Sequence, residues 1–150
     1  VELLILNKGY NRSNFGAYFP VPKLSPYTKI NKQRLKNPKF IFKHSLQIIK
    51  KWKKEGKVVS WRDVGCANGE FIYYLCQKIP DCKFYGVDIT KEFINTATTI
   101  LKNFKNVKLS HDDILNPNAN YKQTEVVSCT NTIQIFPKPD NFLNKLIDLV

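Results

Sequence analysis

Val58-Val59-Ser60-Trp61-Arg62-Asp63-Val64-Gly65-Cys66-Ala67-Asn68-Gly69-Glu70-Phe71 is the stretch whose reading decides the fold. An apolar run ends in an acid, passes through a turn of small residues and opens into Glu70 to Ile79, where Phe71, Ile72, Leu75, Cys76 and Ile79 recur at helical spacing. The pattern predicts strand, tight loop, helix. Gly65 and Gly69 permit backbone conformations closed to larger residues, so a ligand can lie against bare peptide groups at the helix start. A dinucleotide fingerprint needs small residues in the order G-x-G-x-x-G. Counted from Gly65, the sixth position is Glu70, which fails it.

Working outward, Lys83 to Ile89 reads as a second strand that closes on Asp88, about twenty residues after the loop, where a parallel neighbour presents a carboxylate to a nucleoside ribose. The alternative for Asp88 is that it merely precedes a helix capped by Thr90. That helix, Lys91 to Lys105, lines up Phe93, Ile94, Ala97, Ile100, Leu101 and Phe104 on one face. A third strand, Asn106 to Ser110, runs into His111-Asp112-Asp113-Ile114-Leu115. After a polar loop from Asn116 to Gln123, a fourth covers Glu125 to Cys129 and continues as Thr130-Asn131-Thr132-Ile133-Gln134-Ile135-Phe136-Pro137. Asp140 is placed to cap a last helix through Phe142, Leu143, Leu146, Ile147 and Val150. Strands alternating with such helices imply a parallel sheet with right-handed crossovers.

The spacing acid-x-Gly-x-small-x-Gly, carried by Asp63, Gly65, Ala67 and Gly69, resembles the first motif of class I S-adenosylmethionine (SAM)-dependent methyltransferases, with Ala67 standing where Gly is commoner. The three later strand ends are similar to that family's further motifs in the same order. The resemblance implies an α/β, Rossmann-like, doubly wound parallel sheet with flanking helices and SAM as cofactor. It implies cofactor contacts from Asp63, Gly65, Cys66, Ala67 and Gly69 in the loop and from Asp88 and Ile89 at the second strand, Asp88 taking the ribose hydroxyls. Asp113 would take the adenine amino group, the backbone of Ile114 would face the ring, and Cys129 and Thr130 would pass under the methionine end. Asp112 is read as a turn acid and His111 has no role.

Charge is unevenly placed. Residues 1–57 hold 14 of the 24 Lys and Arg with only Glu2 and Glu55 among acids, whereas residues 58–150 carry ten of each sign. An anionic partner such as RNA, a phosphorylated glycan or a lipid head group suits that segment. Composition offers another source, because the chain is rich in Lys, Asn and Ile and has only Arg12, Arg34 and Arg62, as adenine- and thymine-rich coding produces. Residues 1–37 lack periodicity and are broken by Pro20, Pro22 and Pro26, so an irregular basic segment is expected there, with Tyr10, Tyr18 and Tyr27 available to a flap or to packing. Residues 38–57 read as an amphipathic covering helix with Ile41, Ser45, Ile48, Ile49 and Trp52 inward and Lys39, Lys43, Lys50 and Lys54 on another face. Residues 58–150 form the cofactor domain.

Val1 to Lys8 lacks the basic lead and cleavage-like site of a signal peptide, and no run is long enough to span a membrane. Cys66, Cys76, Cys82 and Cys129 form no Cys-x-x-Cys pair and no zinc-like spacing, which fits no metal site and a reduced, cytoplasmic setting.

The class I fold has seven strands, and only the first four with their helices can be found. The expectation is therefore a truncated chain holding the cofactor half, with an unpaired apolar edge on the fourth strand that invites a homodimer. No catalytic base is assigned. The Asn/Asp-Pro-Pro-aromatic turn of nitrogen-methylating enzymes and the Pro-Cys nucleophile of cytosine-C5 enzymes are absent after the fourth strand. A small-molecule, sugar or lipid-linked acceptor methylated on oxygen is the leading expectation. The alternatives are an RNA methyltransferase guided by the basic segment, a non-catalytic SAM-binding or interaction module, and last a nicotinamide-dependent enzyme.

Overall fold

The computed structural model describes residues 2–6, 32–57, 59–130, 132–133, 136 and 139–150. Its elements in chain order are β1 (Glu2–Leu6), α1 (Lys32–Lys36), α2 (Phe40–Lys54), β2 (Ser60–Val64), α3 (Glu70–Lys78), β3 (Lys83–Asp88), α4 (Lys91–Leu101), β4 (Val107–His111), β5 (Val126–Thr130) and α5 (Pro139–Asp148). The strands form one sheet in the order β1-β5-β2-β3-β4, and every pairing is parallel. The expected four strands are present, each within a residue or two of its predicted limits.

Alternation along β2, β3 and β5 sends side chains to two differently covered faces. Trp61, Phe84 and Val126 point to a core shared with α2, α3 and α4, built on Phe42, Ile49, Phe71, Ile72, Leu75, Ala97 and Leu101. Val64, Val87, Val127 and Cys129 point the other way, onto Ile114, Phe142, Leu146 and Leu149. Covering both faces is what a parallel sheet requires, since each strand is then apolar on both sides. α2 has no side-chain cap at Lys39 and no acid in its first turn, so packing holds it: Phe42 sits 4.8 Å from Phe71 and 5.4 Å from Tyr74, ring centre to ring centre. Burying one such ring contributes roughly 1.5–3 kcal/mol.

Arg62, 3% exposed, fastens the second face. Its guanidinium lies between the rings of Tyr85 and Tyr121, 5.1 and 4.9 Å from their centres, and donates to the Lys122 carbonyl at 2.8 Å. Tyr121 in turn donates its hydroxyl to Asp112 at 2.8 Å, which ties the polar loop after β4 down onto the sheet. Burial depresses the guanidinium pKa from its ordinary value.

Three expectations need correction. The irregular reading of the N-terminal segment fails at Glu2–Leu6, which is a strand, and at Lys32–Lys36, which is a short helix. The fourth strand is not an open edge: β1 lies beside β5 with Glu2 opposite Val126 and Leu6 opposite Thr130, so the backbone groups reasoned to invite a second copy are already paired. Asp140 lies inside the first turn of α5, which starts at Pro139, and is not its cap. Pro suits that position because its missing N–H would have no partner in a first turn. Tyr10, Tyr18, Tyr27, Pro20, Pro22 and Pro26 lie outside the described residues. Among the described residues no helix is long and apolar enough to cross a membrane.

Candidate functional site

Strand order changes direction between β2 and β5: the chain steps outward from β2 through β3 to β4, then returns to the other side of β2. Open parallel sheets leave a crevice at the carboxyl ends of the strands where this happens. The loop between β2 and α3 lies at that point. Gly65 and Cys66 keep donating to the Val87 carbonyl, at 2.8 and 3.1 Å, so the loop stays attached to β3 as it leaves the sheet. Gly65, Ala67 and Gly69 all have positive φ, 74°, 47° and 74°. A Cβ at Gly65 would come within 2.0 Å of the Thr132 hydroxyl, and one at Gly69 within 2.7 Å of Leu101 Cδ1. Thr132, which follows β5, therefore rests directly on the loop's backbone, its hydroxyl 3.4 Å from the carbonyls of Val64 and Thr130.

Beneath the loop, Asp63 is 4% exposed. Trp61 Nε1 donates to Ser128 Oγ at 2.7 Å, and Ser128 Oγ donates to Asp63 Oδ1 at 2.7 Å. Burial pushes the Asp63 carboxyl up to about 7, against the Ser128 hydroxyl, which lowers it; the nearby Asp88 charge adds to the rise. Burial also pushes the Cys66 thiol well above its ordinary value, helped by the charges of Asp63 and Asp88. The Cys129 thiol is held at about 11, mainly by burial. These thiols are packing groups, because a nucleophilic cysteine needs its thiolate stabilised.

Asp88 stands at the start of α4, as the second reading has it, and also tethers the loop. Its Oδ2 accepts the Ala67 N–H at 2.9 Å and its Oδ1 accepts the Thr90 N–H at 2.8 Å. The carboxylate thus fixes the loop and starts α4 at once, whereas Thr90, the residue before the helix, makes no side-chain cap bond. Each oxygen keeps a second lone pair. Ile89, next in sequence, is an apolar side chain left 63% exposed.

At the end of β4 the two acids separate in role. Asp112 accepts from Tyr121 OH at 2.8 Å and Asn116 Nδ2 at 3.1 Å, bonds that hold its pKa below the usual range. Asp113 is exposed and accepts the Leu115 N–H at 2.9 Å on Oδ1. Ile114 is buried in the second core, so only its backbone is available to a ligand. His111 Nε2 contacts the Ile89 carbonyl at 3.0 Å, linking the ends of β3 and β4. The Asp112 N–H donates to the Asp88 carbonyl at 3.2 Å, closing the same link.

Parallel pairing thus brings Asp63, Gly65, Cys66, Ala67, Gly69, Asp88, Ile89, Asp113, Ile114, Cys129 and Thr130 to one end of the sheet. Sequence reasoning missed Ser128 and Thr132 as contacts. A hydroxyl inside the apolar run Val126 to Cys129 was the available signal for the first. An open groove of about 310 Å³ lies along α5, lined by Leu115, Asn141, Asn144, Lys145 and Asp148 and by no residue of the loop. Among the described residues no three His, Cys, Asp or Glu side chains are grouped to hold a metal ion.

Residues 53–150 match a family described as a methyltransferase domain. Among solved structures the chain is similar to the plantazolicin methyltransferase BpumL in complex with SAH, at 21% identity and TM-score 0.62 over 87% of this chain and 50% of that one. It is also similar to PKMT2 from Rickettsia typhi in complex with AdoHcy, at 22% identity and TM-score 0.57 over 62% and 19%. StiE O-MT is a third, at 13% identity and TM-score 0.56 over 61% and 34%. The chain thus spans half or less of the length of these relatives. No curated protein matches.

Proposed function

Since the chain belongs to the methyltransferase-domain family, we propose that the crevice at the ends of β2 to β5 binds SAM. We further propose that the protein of which this crevice is part methylates an oxygen on a small-molecule, sugar or lipid-linked acceptor. One observation carries the cofactor assignment: Asp88 grips the loop at Ala67 and α4 at Thr90 while both its oxygens retain accepting capacity. Two ribose hydroxyls suit that capacity.

The other surroundings are consistent with the same ligand. The exposed Ile89 side chain offers an apolar surface to adenine. Asp113 is exposed, a carboxylate for an amino group. When bound, SAM supplies a methyl group on a positively charged sulfur, open to in-line attack by an acceptor oxygen. This chain's contribution is then positioning, which can supply ~7–11 kcal/mol of a barrier when reactants are held in near-attack geometry. That BpumL and PKMT2 are described with SAH or AdoHcy, and StiE as an O-MT, supports the cofactor and the oxygen acceptor respectively.

Titration calorimetry with SAH and with NAD, on protein shown to be ordered by circular dichroism, tests the reading. Binding of SAH and not NAD is expected. Binding of NAD alone, or of neither ligand by ordered protein, refutes it.

A further inference from the structure

The outer face of α2 is a ridge of cations. Lys43, Lys50 and Lys54 are exposed and, at 100° per residue, fall within one narrow arc of the helix; the exposed Lys39 precedes the first turn as its cap residue, its ammonium 6.0 Å from the centre of the Phe42 ring. Lys36 and Lys51 flank them. Among the described residues the acids near this ridge are already used: Asp81 pairs with Lys53, and Glu55 with Lys57 at 2.9 Å. The four ridge lysines have no described carboxylate partner. Over fifteen residues the ridge is roughly 22 Å long.

At its N-terminal end stands an exposed ring. Phe40 is 71% exposed and stacks on His44, ring centres 5.7 Å apart and planes 11° from parallel. A large apolar ring in water, backed by a second ring and set at the head of a row of cations, offers a base a flat surface beside a line of charges for its phosphates. We infer that this face of α2 docks single-stranded nucleic acid, with phosphates along the lysines and a base on Phe40.

Two features favour that partner over an anionic bilayer. An interfacial helix buries an apolar face among the lipids, but the apolar face of α2, with Phe42, Ser45 and Ile49, is consumed by the protein core. Phe40 is the one large apolar side chain of α2 left exposed among the described residues. The inference goes beyond the cofactor reading and does not depend on it. α2 does share an end with the crevice, because Phe42 packs on Phe71 in the first turn of α3 while Lys53 meets Asp81 at the opposite end of the sheet.

The test is fluorescence anisotropy of a labelled twelve-residue oligouridylate against the full chain over a salt series, with phosphatidylcholine/phosphatidylserine vesicles in parallel sedimentation. Changing Lys39, Lys43, Lys50 and Lys54 together to Gln should flatten log K against log salt by roughly 2 to 3, since each single-strand phosphate contact contributes about 0.7. Phe40→Ala should weaken binding about tenfold with the slope unchanged. A charge-matched control changes the exposed Lys91, Lys102, Lys108 and Lys122 to Gln, none of which is on α2; it should leave the slope nearly intact. The inference is overturned if oligouridylate does not bind at low salt, if the control flattens the slope as much as the ridge variant, or if vesicles bind and the oligonucleotide does not. None of these substitutions removes a buried side chain, so unchanged melting temperatures accompany the expected result.

Discussion

Replacing Asp63 by Asn separates the energy of a buried carboxylate from everything else in the fold. The side chain is 4% exposed, and its pKa is raised from 3.8 to about 7, chiefly by burial. The folded state therefore holds a proton that the unfolded chain has already released across the interval between those values. Where the folded state binds more protons, stability falls as pH rises. The wild type should lose stability from about pH 4 up to 7 through this group and then level off. At ~1.36 kcal/mol per pKa unit the full effect is about 4 kcal/mol.

Asn cannot ionise, and its carbonyl oxygen can still accept from Ser128, so the variant should lack this component. Urea unfolding at pH 5, 6, 7 and 8, followed by circular dichroism, gives the two curves, with constant m-values confirming comparable unfolded states. The Asp63→Asn protein should gain on the wild type steadily up to pH 7. A difference between the two proteins that stays flat from pH 5 to 8 would show that Asp63 ionises in the ordinary range and that the burial argument is wrong.

Further outcomes follow from the loop and its tether. Asp88→Ala should both lower the melting temperature, because the Ala67 and Thr90 amides lose their acceptor, and weaken SAH binding at least about tenfold, each charge-assisted bond contributing roughly 1.5–3 kcal/mol. A variant that melts early yet binds SAH normally in calorimetry would remove the ribose assignment. Ala67→Gly should stabilise by about 0.5–1 kcal/mol in urea unfolding, since φ of 47° strains any residue with a Cβ. Gly65→Ala should destabilise the fold and abolish SAH binding, the new Cβ meeting Thr132 at 2.0 Å; an unchanged melting temperature would contradict that packing.

The parts of this fold written in local pattern were legible in advance. Helical spacing identified α3 and α4, and a strand, an acid and small residues in series placed Asp63, Asp88 and the loop at the carboxyl end of the sheet. Contacts between segments were not legible. Ser128 appears in sequence as one hydroxyl in an apolar run, and nothing local says that it sits opposite Asp63 when β5 pairs with β2. Thr132 was visible only as part of a connecting stretch, because the tight fit against Gly65 depends on where the chain goes after β5. β1 was passed over for a related reason: four apolar residues after Glu2 carry no period long enough to distinguish strand from irregular chain, and the partner that makes them a strand is distant. Asp88 shows the complementary case, where a choice between ribose acceptor and helix start was posed although one carboxylate has room for both.

The pairing of β1 with β5 also sets an order of events in time. Glu2 takes its place opposite Val126 by closing a loop of roughly 120 residues, an entropic cost that grows only as the logarithm of length but that must be met before any ladder bond returns energy. β2, β3 and β4, joined by short helical crossovers, can assemble without it, and β5 needs only β2 as a template. β1 should therefore dock last, onto a sheet already formed. Amide hydrogens along β5 that face β1 would then gain protection later in refolding than those facing β2, and the earliest sheet would pass through a stage whose β5 edge is bare.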